Sequence, residues 1–134
     1  MNTKMILSLA AIVLTSCAAP SKQEVAAADY GPYPSNYREL VNAWIKRSMK
    51  DPYSVRDVQM GEPEKFWVAE APILGGKKTY GYMIAVALNA KNSFGAYTGR
   101  QAYQLQIREG RVIAQQWMNP PTREVTGADW IFLR

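Results

Sequence analysis

Tyr80-Gly81-Tyr82-Met83-Ile84-Ala85-Val86-Ala87-Leu88-Asn89 is the stretch that decides the fold of this chain. It contains no charge, and its side chains sort by parity. Tyr80, Tyr82, Ile84, Val86 and Leu88 make one large apolar face, while Gly81, Met83, Ala85 and Ala87 make a small one. A period of two is the signature of a strand. This stretch is the best strand in the chain, and the small face suggests that something packs closely there, most simply a helix.

On the C-terminal side, Tyr103, Leu105 and Ile107 alternate with Gln104, Gln106 and Arg108, which predicts a strand with one wet face. Glu109-Gly110 is a tight hairpin turn, Val112 to Trp117 is the returning strand, and Pro120-Pro121 ends it because proline cannot donate to a ladder. The tail from Val125 to Leu133 holds Trp130, Ile131 and Phe132, apolar enough to fold back on the core. On the N-terminal side, Gly75-Gly76-Lys77-Lys78 is a turn. Phe66 to Ala69 is a short strand, and Tyr53 to Met60 predicts a half-buried strand of about seven residues stopped by Gly61 and Pro63.

Further upstream the period changes to that of a helix. Tyr37, Leu40, Val41, Trp44, Ile45 and Met49 share one face, with Arg38, Asn42, Lys46, Arg47 and Lys50 pointing away. Asn36 followed by Glu39 has the spacing of a capping box, and Pro52 forces Asp51 out of helical geometry. The predicted architecture is α+β: one N-terminal amphipathic helix packed on an antiparallel sheet of four or five strands, forming a single domain over residues 34–134.

Between the two strongest strands, Asn89-Ala90-Lys91-Asn92-Ser93-Phe94-Gly95-Ala96-Tyr97-Thr98-Gly99 is longer than the two to five residues a hairpin needs. It mixes turn-forming residues with Phe94 and Tyr97, which ordinarily avoid water. Two readings stay open. The aromatics cap the end of the core, or they anchor a partner, with Asn89, Lys91, Asn92, Ser93 and Thr98 as adaptable polar contacts.

At the start of the chain, Asn2-Thr3-Lys4 precedes an uncharged apolar run, Met5 to Leu14, and Leu14-Thr15-Ser16-Cys17 closes it. The layout is that of a signal peptide, too short in its apolar part to span a hydrocarbon core of about 30 Å. The Leu-Thr-Ser-Cys ending resembles the lipobox of bacterial lipoproteins. That resemblance implies cleavage after residue 16, lipid on the Cys17 sulfur, and a mature chain of 118 residues whose residues 17–33 form a lipidated, flexible tether. The alternatives are an ordinary signal peptide cut near Ala18-Ala19, which discards Cys17, and a buried helix of a cytoplasmic protein. In lipoprotein sorting of the enterobacterial kind, Ala18 and Ala19 do not resemble the aspartate signal for inner-membrane retention. The expected location is therefore the periplasmic face of the outer membrane.

Composition narrows the chemistry. The chain has no histidine, which removes the commonest general base and transition-metal ligand. With Cys17, the single cysteine, spent on lipid there is neither a disulfide nor a thiol nucleophile. Ser93 and Lys91 alone do not make a serine–lysine site, and Asp51, Asp57, Glu62, Glu64 and Glu70 lack the spacing of a calcium loop. No cofactor and no metal are expected. The net charge of +5 falls to +4 once Lys4 leaves with the signal, a balance suited to anionic partners such as cell-wall polymers or lipid headgroups. No aromatic-basic signature of nucleic-acid binding appears.

Two segments carry a second resemblance. Lys50-Asp51-Pro52-Tyr53-Ser54-Val55, together with the Asn89–Gly99 segment, is similar to a group of small proteobacterial lipoproteins and phage-associated proteins sharing a KDP-x-S turn and an NAKNSFGGYTG loop. The similarity spans Tyr37 to Arg108. Ala96 stands where the group carries a second glycine, which argues against a strict need for bare backbone there. The resemblance implies a shared folded unit and carries no activity with it. The expectation is a non-enzymatic envelope lipoprotein that binds an envelope protein or an anionic cell-wall polymer. An assembly subunit of an envelope or secretion complex is the alternative. A cell-wall hydrolase would need two carboxylates about 5 to 9.5 Å apart across a cleft.

Overall fold

The computed structural model describes residues 19–71, 75–118 and 130–133. They form two short helices, α1 (Lys22–Ala27) and α2 (Tyr37–Ser48), a 3-10 turn at Pro52–Ser54, and six strands. The strands are β1 (Arg56–Met60), β2 (Glu64–Ala69), β3 (Lys78–Lys91), β4 (Tyr97–Arg108), β5 (Arg111–Met118) and β6 (Ile131–Phe132). The class is α+β as the sequence predicts, with one more strand and one more helix than expected. The sixth strand is the apolar tail, where Ile131 and Phe132 pair with Gln115 and Ala114 of β5.

The sheet is antiparallel in every pairing and runs β1-β3-β4-β5-β6, with β2 also paired to β3. β1 and β2 lie end to end along one side of β3, β1 on its C-terminal part and β2 on its N-terminal part. They are separated by Gly61-Glu62-Pro63, and the Gly61 amide still donates to the Ala85 carbonyl at 2.8 Å. β1 is not the half-buried strand its alternation suggests. Asp57 sits at φ +55°, the register slips between Arg56 and Gln59, and Arg56 to Gln59 are exposed. A bulge of this kind breaks the period of two.

The core lies between α2 and the large-residue face of β3. Tyr37, Val41, Trp44 and Ile45 pack on Ile84, Val86, Leu88, Leu105, Ile107 and Val112. This corrects the expectation that the helix covers the small face. A helix stripe built from Trp, Ile and Val buries most apolar area against large partners, and Trp44 adds a hydrogen bond from its indole N–H to Gln115 Oε1 at 2.7 Å. The start of α2 is also corrected. Asn36 makes no side-chain cap, having backbone angles of −92° and 23°, outside the extended region an N-cap side chain needs. Among the described residues a capping box forms at α1, where Ser21 Oγ accepts from the Glu24 amide and the Glu24 carboxylate accepts from the Ser21 amide.

The opposite face carries a second, smaller cluster in which Trp130 packs with Val68, Ala114, Phe66, Met83 and Phe132. It overturns the predicted wet face of β4: Gln106 is 0% exposed, and its Nε2 donates to the Thr79 carbonyl at 2.9 Å. Gly81 lies here for a steric reason, since a Cβ would come within 2.5 Å of the Ile107 carbonyl oxygen.

The segment preceding Pro34 is also more ordered than a tether. Tyr30 is 5% exposed, with its ring edge-on to Tyr80 and Tyr82 at centroid distances of 5.6 and 6.4 Å. Arg108 Nη1 donates to the carbonyl of Asp29 at 2.6 Å and of Tyr80 at 2.8 Å, and Nη2 meets the Asp29 carboxylate at 3.0 Å. The folded domain therefore includes Asp29 to Tyr33, because two apolar rings here find tyrosines to pack on. Cys17 and the signal segment lie outside the described residues.

Candidate functional site

The Asn89–Gly99 segment is largely strand. β3 continues to Lys91 and β4 begins at Tyr97, so the true connection is Asn92 to Ala96, five residues and an ordinary hairpin length. Asn89 and Lys91 are ladder residues opposite Arg100 and Tyr97. The Asn89 side-chain oxygen is buried without a hydrogen-bond partner. Asn92 organises the connection: its Oδ1 accepts from the amides of Phe94 (2.9 Å) and Ala96 (3.1 Å), and its own amide donates to the Ala96 carbonyl at 2.8 Å. This is the local side-chain-to-backbone bonding that makes asparagine a turn residue. Gly95, at φ +79°, supplies the left-handed position the turn requires. Thr98 accepts from Gln101 Nε2 at 2.7 Å and fixes the start of β4.

The tip is braced from one side by the residues that follow α2. Lys50 Nζ donates to Ser93 Oγ at 2.5 Å, and the Tyr97 hydroxyl donates to the Ser54 carbonyl at 2.9 Å. The Tyr97 ring lies under the Arg56 guanidinium (3.7 Å to the centroid) and within 5.4 Å of Lys91 Nζ. Such cation–π contacts are worth about 0.5–1 kcal/mol at exposed sites. The two motifs thus touch at two points, Lys50 with Ser93 and Ser54 with Tyr97, each pair 43 residues apart, and Arg56, just past the first motif, adds a third contact on Tyr97. The sequence presents both segments, yet no local signal says that they meet, because β1, β2 and most of β3 intervene.

Within this braced end, two aromatic rings have nothing over them. Phe94 is 93% exposed and Tyr53 is 97% exposed. Phe94 therefore does not cap the core, and the core-capping reading fails for it. Tyr97 is the strut and Phe94 is the free ring, a division of labour the sequence pattern does not distinguish. Lys50, Arg56 and Lys91 surround the tip with positive charge, while Asp57 is drawn to Arg56 at 3.6 Å. Lys50, Tyr53, Ser54 and Arg56 join the candidate site only in the structure; the KDP-x-S turn flags the first three, and nothing in the sequence flags Arg56. Among the described residues, no group of three or more Cys, Asp or Glu side chains converges as a metal site would require.

No protein-family model, curated protein or solved structure matches this chain.

Proposed function

We propose that the chain is a non-enzymatic envelope lipoprotein, held by lipid on Cys17 at the periplasmic face of the outer membrane, whose braced hairpin tip docks an envelope protein or anionic cell-wall polymer. One observation carries the binding half of this reading: Phe94 stands bare on a turn held rigid by Asn92, Lys50 and Tyr97. A rigid, exposed aromatic ringed by cations loses little entropy on binding and matches an acidic partner.

The layout of the sheet supports the orientation. The N-terminal segment reaches the domain at Tyr80 and Arg108, and the tip follows Lys91 at the other end of β3. The eleven residue steps from Tyr80 to Lys91 correspond to about 36 Å of strand. A chain anchored through its N-terminus would therefore present Phe94 away from the anchoring membrane.

Two experiments test the two halves separately. A clickable palmitate analogue should label the wild type and not Cys17→Ser; labelling that survives the substitution ends the anchor reading. A photo-crosslinking residue at position 94 in native envelopes should capture a partner, and Phe94→Ala and Tyr53→Ala should lose its pull-down at unchanged melting temperature. Undiminished pull-down in both variants ends the docking reading.

A further inference from the structure

A groove unrelated to the hairpin tip lies between α2 and the start of β5. It has a volume of about 620 Å³ and is lined on its apolar side by Leu40, Ala43, Trp44, Val112, Ile113 and Leu133. Its polar side is Arg47, Ser48 and Arg111. The helix stripe Leu40, Ala43, Trp44, Arg47 has the i, i+3, i+4, i+7 spacing of one face, so the apolar wall ends in a guanidinium. The volume falls in the range of ligand pockets, about 300–1,000 Å³.

The electrostatics of the groove are one-sided. No acidic residue lines it. Among the described residues neither Arg47 nor Arg111 makes an ion pair, and the nearest carboxylate in sequence, Glu109, is taken by Arg108 at 3.5 Å. Two exposed guanidiniums without partners at the rim of an apolar groove favour a ligand with a carboxylate or phosphate head, which Arg can hold bidentately. The backbone does not invite an extended peptide. β5 is already covered at this point, where the Leu133 amide donates to the Ile113 carbonyl at 2.8 Å, so no free edge is available for strand addition.

We propose that this groove binds an anionic amphiphile, its acyl body on Leu40, Ala43 and Leu133 and its anionic head on Arg47 and Arg111. The groove borders Gly110, and that turn lies beside Gly31, where the N-terminal segment joins the domain. If the chain is anchored through Cys17, the groove sits at the end facing the bilayer. That placement rests on the lipoprotein reading; the binding itself does not.

The test uses the full chain in phosphatidylcholine vesicles with a diazirine-bearing fatty acid, mapped by mass spectrometry after irradiation. Crosslinks should fall in the peptides spanning Leu40–Ser48 and Arg111–Ile113. Labelling there should drop at least tenfold in the double variant Arg47→Gln/Arg111→Gln, and be unchanged in Lys46→Gln, which alters a neighbouring exposed charge outside the lining. Ala43→Phe keeps both arginines and fills the groove, and should block labelling equally; it covers the case in which the double variant folds poorly. Competition by lysophosphatidate against laurate separates a phosphate head from a carboxylate head. Equal labelling by the corresponding neutral fatty alcohol, or undiminished labelling in Ala43→Phe, overturns the proposal. Because the crosslink is read independently of palmitate incorporation at Cys17, its failure and that of the anchor reading are distinguishable.

Discussion

The two ends of the β3–β4 ribbon use the same kinds of residue to opposite effect. At the end where the chain enters, tyrosines, an arginine and backbone carbonyls close over one another. Tyr30 is buried against Tyr80 and Tyr82, and Arg108 ties the Asp29 and Tyr80 carbonyls together. At the tip, a tyrosine, an arginine and a backbone carbonyl again make a brace, through Tyr97, Arg56 and Ser54, but the ring beyond it is left uncovered. The difference teaches that exposure of Phe94 does not follow from a loosely built end. The tip has its full set of bonds, and Phe94 contributes to none of them through its side chain. At one end the aromatic stabilises the fold; at the other it is available to something else.

The comparison breaks first at Tyr30. Tyr30→Ala removes a buried ring and a hydroxyl that donates to the Val25 carbonyl at 3.0 Å, and should cost about 3 kcal/mol in urea unfolding. An unchanged midpoint would mean that the entering segment is not part of the folded unit. Next comes Arg108→Gln, which deletes the charge-assisted bonds to two carbonyls and should cost about 2 kcal/mol. Loss of protection at the amides of Tyr80 and Gly31 in hydrogen exchange would locate the effect. At the tip the matching change is milder. Tyr97→Phe keeps the ring under Arg56 and loses only the bond to Ser54, about 1 kcal/mol, with faster exchange confined to Asn92–Ala96. If Tyr97→Phe destabilised as much as Tyr30→Ala, the two ends would be equally woven into the core and the contrast would fall.

The legible parts of this fold are those whose evidence is local. The period of two over Tyr80–Asn89 and the period of 3.6 over Tyr37–Met49 both name an element and the residues sharing its faces. Parity does not say which face a neighbour takes, so the helix was expected on Ala85 and Ala87 when it packs on Ile84 and Val86. Gln106 looks solvated because the cluster on its face, to which its cross-strand neighbours Met83 and Ala114 belong, is assembled from residues distant in the chain. The tip was hidden for a related reason. Lys91 is a polar ladder residue that resembles loop, so the sequence pattern stops at Asn89 where β3 continues to Lys91. The Asn89–Gly99 segment is readable as a hairpin end, but its contacts with Lys50, Ser54 and Arg56 exist only in the tertiary fold.

A smaller effect sharpens the entering end through pH. The Gly31 amide, 2.8 Å from Asp29 Oδ1, and then the Arg108 guanidinium hold the Asp29 carboxyl below its ordinary value. A carboxylate whose pKa is depressed on folding adds stability above its unfolded value, near 3.9, and loses it as pH falls through the lower folded value. The wild type should therefore lose melting temperature relative to Asp29→Asn below about pH 4, and the two curves should run parallel at neutral pH. Curves that stay parallel into acid would show that the ion pair does not hold in solution. Because Asp29 is exposed, the divergence should also shrink with added salt.

The smallest expected effect on stability belongs to Phe94. A side chain that is 93% exposed and makes no contact needed for the fold should leave the unfolding midpoint within about 0.5 kcal/mol when replaced by alanine. Phe94→Ser should behave the same way, since the turn is held by the backbone of residue 94 and by Asn92, not by the ring. The sharper comparison is between Phe94→Ala and Asn92→Ala. Asn92→Ala leaves the ring in place but removes the acceptor for the Phe94 and Ala96 amides, so it should loosen the tip in hydrogen exchange and weaken capture through lost preorganisation. Phe94→Ala should abolish capture while exchange at the tip stays at wild-type rates. If the two variants lost capture and tip protection together, ring and turn would be one structural unit, and Phe94 would belong with Tyr30 among the residues that make the fold.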